Sequence, residues 1–61
     1  MTREIDHAEQ IAQVAANISG KAQLIYQRPN GEYVVCARGL ESLLPDSIRA
    51  KMIYIKTIEP E

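Results

Sequence analysis

Residues 21–37, KAQLIYQRPNGEYVVCA, decide how this chain folds. Two runs rich in β-branched and aromatic residues flank Arg28-Pro29-Asn30-Gly31-Glu32, which is the pattern of a β-hairpin. The chemistry of the turn sets the register. A two-residue turn at Asn30-Gly31 would require Pro29 to donate a backbone N–H to Glu32, and proline has none. A type I turn with Pro29 at its second position and Gly31 in the left-handed bulge position meets no such obstacle. Arg28 then pairs with Glu32, placing opposite charges across the strands. In this register Leu24, Tyr26, Val34 and Cys36 share one face. Ile25, Tyr33, Val35 and Ala37 share the other, with Gln23 and Gln27. A slip of one residue would reverse the partition.

Upstream, Ile5, Ala8, Ile11, Ala12, Val14, Ala15 and Ile18 fall on one broad arc of a helical wheel. Asp6, Glu9, Gln10, Gln13 and Asn17 fall on the rest. This is an amphipathic helix, predicted at about residues 3–19. Thr2 is the expected N-cap, and Glu4 and Asp6 sit where the helix dipole favours negative charge. Gly20 is the expected C′ residue. An alanine-rich face lets the helix approach a sheet closely.

Downstream, Gly39 ends the second strand. Leu40, Leu43 and Leu44 are expected to pin a connector over residues 40–51 to the core, with one or two helical turns starting near Pro45-Asp46-Ser47. A final strand spans residues 52–58, and Glu59-Pro60-Glu61 reads as a frayed end. About a dozen residues suffice for the crossover, so the third strand is predicted to pair with the first. The fold class is α+β: one domain, residues 1–61, with a long N-terminal helix packed on a three-stranded, mainly antiparallel sheet in the order α-β-β-α(short)-β. The hairpin occupies about residues 21–38, with its turn at 29–31.

The alternation leaves both sheet faces apolar, and one helix covers only one. If Leu24, Tyr26, Val34, Cys36, Ile53 and Ile55 face the helix, then Ile25, Tyr33, Val35, Met52 and Tyr54 face away. Each large apolar side chain left exposed forgoes roughly 1.5–3 kcal/mol of burial. That is a large omission for a domain whose stability is about 5–15 kcal/mol. The connector, a second copy of the chain or another protein should therefore cover this face. The two open edges of a three-stranded sheet add templates for pairing. The partner interface predicted from sequence is Ile25, Tyr33, Val35, Met52 and Tyr54. The expected partners are a second copy of the chain, as a homodimer, and a larger protein.

The composition agrees with an interaction module. The chain has 61 residues, 46% of them hydrophobic and 25% charged, with a formal net charge of −1. Domains this small bury only about 60% of their unfolded surface and are often stapled by disulfides, a metal or a partner subunit. A single cysteine, Cys36, excludes an internal disulfide. With His7 the only histidine, the recurrent structural zinc patterns are excluded as well. The near-neutral charge disfavours a polyanion binder relying on bulk charge, although residues 21–56 carry six basic against three acidic side chains. No run approaches the roughly 18 apolar residues of a membrane span. The N-terminus lacks the pattern of a signal peptide, and a lone thiol suits a reducing cytoplasm.

No residues suggest an enzyme. A Cys36–His7 pair would need contact that no spacing selects, and the carboxylates form no acid–base pair. Each of the three glycines marks a break between elements rather than a phosphate loop. No cofactor, metal or catalytic residue is expected. The alternative reading is a small nucleic-acid-binding module. In that reading Tyr33 and Tyr54 stack bases, with Arg38, Lys51 and Lys56 nearby.

Overall fold

The computed structural model describes residues 2–61, the side chain of Glu41 aside, so Met1 of the expected domain lies outside the described residues. Helix α1 spans Ile5–Ser19, and strands β1 and β2 span Gln23–Gln27 and Tyr33–Ala37. A 3-10 turn at Glu41–Leu43 and a short helix α2, Asp46–Arg49, lead to β3, Ile53–Ile58. The sheet order is β2-β1-β3, with both pairings antiparallel. The fold is therefore the α+β arrangement expected from sequence, with the third strand beside the first.

The hairpin register is the one that Pro29 requires. Leu24 pairs with Cys36, Ile25 with Val35 and Tyr26 with Val34. The Arg28 N–H donates to the Glu32 carbonyl at 2.7 Å, and the Gly31 N–H to the Arg28 carbonyl at 2.9 Å. Gly31 has φ +92, with open space around the position of an added Cβ. A side chain there meets no neighbour and suffers only from the backbone conformation, which costs an L-residue about 1–2 kcal/mol. Gly31→Ala should therefore lower the free energy of urea unfolding by about that amount. An unchanged midpoint would contradict the bulge assignment.

The helix covers the opposite face from the one expected. Ala8, Ala12 and Ile25 are fully buried together, and Ile5, Tyr33, Val35 and Ile58 pack against them. Thus Ile25, Tyr33 and Val35 lie beneath α1, whereas Leu24, Tyr26, Val34 and Cys36 point away from it. Alternation divides a strand into two faces but does not say which one a helix will cover. The choice is made by the turn at residues 20–22, where Gly20 (φ +72) ends α1 and its N–H donates to the Ala16 carbonyl at 2.8 Å.

A bulge redistributes β3. Ile25 pairs with Lys56 and Tyr26 with Tyr54, which leaves Ile55 as an extra residue. Lys56 consequently lies on the helix side, where its Nζ donates to Glu9 Oε1 at 2.8 Å. Both partners are partly exposed, so the pair contributes at most about 1 kcal/mol. Tyr54 lies on the opposite side with Tyr26, their rings edge-to-face with centroids 5.9 Å apart. Without the extra residue, Tyr54 and Lys56 would share a face.

Three further expectations are corrected. The broad apolar arc of α1 splits, because only Ala8, Ala12 and Ala16 are buried. Thr2 is not the N-cap, a place taken by Glu4 with extended backbone. Instead the Thr2 carbonyl accepts the Tyr33 N–H at 2.6 Å, adding a bridge to the edge of β2. Residues 59–61 are not frayed. Gln13 Nε2 donates to the Glu59 carbonyl at 3.0 Å, and the Glu61 N–H donates to Asn17 Oδ1 at 2.8 Å. Among the described residues, no helix is long and apolar enough to cross a membrane.

Candidate interaction surfaces

The packing of α1 follows from its residue numbering. At about 100° per residue, positions 9, 13 and 17 flank the Ala8-Ala12-Ala16 stripe on one side. These are Glu9, Gln13 and Asn17, the residues that bind Lys56 and the C-terminal segment. Positions 7, 11 and 15 flank the stripe on the other side, and 14 and 18 extend that flank. His7, Gln10, Ile11, Val14, Ala15 and Ile18 line an open apolar groove there. Val14 is 58% exposed and Ile18 82%. The helix therefore gives the core its alanines and, at its start, Ile5, while Val14 and Ile18 face outward.

A second apolar surface lies on β3. It is an edge strand, with no strand on its outer side among the described residues. Ile53 is 64% exposed and Tyr54 53%, with Ile55 also exposed. β2 is the other edge, and Thr2 caps its start at Tyr33. The connector adds little cover. Leu40 and Leu43, expected to pin it to the core, are exposed, and only Leu44 of the three is half-buried.

The five residues predicted as a partner interface do not form one surface. Ile25 is fully buried, and Tyr33 and Val35 pack against the core beneath α1. Met52 lines a cleft of about 210 Å³ with Arg28, Pro29, Ser47, Ile48 and Lys51, at the tip of the hairpin. Only Tyr54 is both exposed and on the side away from the helix. The position that sequence reasoning missed is Tyr26, which joins Tyr54 once the bulge is taken into account. No sequence signal marked that bulge. The missed apolar stripe of α1 was present in the helical wheel. On the wheel it lies within the same apolar arc as the alanines, and hydropathy alone does not separate the two.

The residues of the nucleic-acid alternative are dispersed as well. Tyr33 and Tyr54 lie on opposite faces of the sheet. Lys51 is at the hairpin-tip cleft. Arg38 donates its N–H to the Ala22 carbonyl at the far end of the sheet, and Lys56 is on the helix side with Glu9. They build no common stacking platform. His7 and Cys36 are also kept apart. His7 Nδ1 lies 3.1 Å from Thr2 Oγ1 on the helix, and Cys36 sits on the sheet face away from α1, its thiol donating to the Ala37 carbonyl at 3.5 Å. Among the described residues no group of three His, Cys, Asp or Glu side chains could hold a metal ion.

No family model matches the chain, and neither a curated protein nor a solved structure shows significant similarity to it.

Proposed function

We propose that this chain is a non-enzymatic protein-interaction module with an accessory, regulatory or inhibitory role. It acts as a homodimer that docks on a larger protein through the β3 edge. The observation that carries this reading is the chemistry of that edge. Ile53–Ile58, IYIKTI, pairs with β1 on one side, has no strand on its other side among the described residues and carries a single charge, which is turned toward Glu9. An extended segment of another protein can add to such an edge by main-chain hydrogen bonds, with alternate side chains giving specificity. Natural edge strands are usually blunted by charge, proline or bulges. Here the bulge at Ile55 is the main such device, and it leaves Ile53 and Tyr54 exposed. The single cysteine supports a reducing cytoplasm as the place of action.

Affinity capture from the native host, with wild-type chain and Tyr54→Glu as parallel baits, tests this reading. The expected result is a partner protein retained by the wild type and lost from Tyr54→Glu. Equal retention by both baits would overturn it. So would salt-sensitive quenching of tyrosine fluorescence by short oligonucleotides, which would favour nucleic acid.

A further inference from the structure

The cleft at the hairpin tip holds two cations that the fold leaves unpaired. Arg28 and Pro29 line it from the turn between β1 and β2, and Ser47, Ile48, Lys51 and Met52 line it from α2 and the residues leading into β3. Main-chain bonds hold both sides. The Arg28 N–H donates to the Glu32 carbonyl at 2.7 Å and the Gly31 N–H to the Arg28 carbonyl at 2.9 Å. Opposite them, the Ile48 N–H donates to the Pro45 carbonyl at 3.0 Å and the Lys51 N–H to the Ile48 carbonyl at 3.1 Å. Nearby, Arg49 is bound to Asp46, and Lys56 to Glu9. Arg28 and Lys51 form no ion pair among the described residues. Glu32 stands opposite Arg28 in the hairpin, but neither Glu32 nor Asp46 lines the cleft.

We propose that this cleft binds a small phosphate monoester carrying an apolar group, with the phosphate held between Arg28 and Lys51. Charge and shape select that class. A phosphate monoester carries about −1.5 to −2 at pH 7, which two cations neutralise, whereas a carboxylate carries a single charge. The Arg28 guanidinium offers a planar fork to two phosphate oxygens, and the Lys51 ammonium acts as a point charge. The Ser47 hydroxyl is a further donor for the third oxygen. Pro29, Ile48 and Met52 supply the apolar surface for the ester group, and Ile48 is 40% exposed, so it has surface left to bury. The volume of about 210 Å³ lies below the roughly 300–1,000 Å³ of pockets for drug-sized ligands. The ester group is therefore a single ring or a short chain. The inference stands apart from docking at the β3 edge and does not depend on it.

Titrating the isotope-labelled full chain with phenyl phosphate, followed by amide chemical shifts, reads this directly. The amides of Arg28, Ser47, Ile48 and Lys51 should shift and saturate, with a Kd of about 1 mM at low salt. Inorganic phosphate, which lacks the ring, and benzoate, which lacks the second charge, should each bind at least about fivefold more weakly. Arg28→Gln and Lys51→Gln should each weaken phenyl phosphate about tenfold, and Lys51→Arg should retain it. Both side chains are exposed, so the variants should keep the spectrum of the folded chain. Shifts confined to another part of the chain would overturn the inference. So would benzoate or inorganic phosphate binding as tightly as phenyl phosphate, or either glutamine variant binding like the wild type.

Discussion

Ile25→Ala is expected to cost about 2–5 kcal/mol, the range for truncating a large core aliphatic. Among the described residues Ile25 is the one large side chain that is fully buried, and it is enclosed by Ala8 and Ala12 above and by Tyr33, Val35 and Ile58 around it. Alanines cannot move into the space it would vacate, so the cavity stays open and the upper part of the range applies. Stability of about 0.05–0.15 kcal/mol per residue implies only about 3–9 kcal/mol for a chain this short. The substitution should therefore remove half of the folding free energy or more. Thermal unfolding followed by circular dichroism should show a fall in Tm of at least about 10 °C. A fall of only a degree or two would mean that the core lies on the other sheet face, where Leu24 and Tyr26 point.

The second large effect comes from adding volume. Ala12→Leu should destabilise the chain by about 1–3 kcal/mol, because Ala12 is fully buried in the cluster that joins α1 to Ile25 of the sheet. Leucine and alanine are both strong helix formers, so the loss would report the helix–sheet distance and not helix propensity. Gln10→Leu, on the exposed side of the same helix, should change urea stability by no more than about 0.5 kcal/mol when measured at low concentration. Equal effects at positions 12 and 10 would contradict the burial of the alanine stripe. The two substitutions together test one claim: α1 sits close because its inward residues are small, with Ile25 filling the space beneath.

Much of this architecture was legible in the residues. Pro29 ruled out the shorter turn and so determined which strand residues are opposite each other. Gly20 marked the end of α1, and the length of the 40–51 connector made the return of the third strand beside the first possible. Other features were not legible, for identifiable reasons. The Ile55 bulge leaves no mark in a run such as MIYIKTI, where β-branched and aromatic residues predominate on either side of it. The C-terminal segment is held by Gln13 and Asn17 through main-chain groups of residues 59 and 61, and backbone groups are the same in every sequence. The interface predicted at Ile25, Tyr33 and Val35 failed on a single binary choice, the face to which α1 docks.

By itself, then, the sequence determined the order of elements, the hairpin register and the presence of more branched apolar side chains than one small core can hold. These follow from local rules: turn geometry, period-two alternation and the helical period. Only the tertiary structure decided which of those side chains remain outside. A face is buried when a neighbouring element reaches it at the right distance. That depended on the turn after Gly20 and on three alanines allowing α1 to close over Ile25. The branched residues Val14, Ile18, Ile53 and Tyr54 were left outward as a consequence, and the last two lie on the edge from which function is proposed.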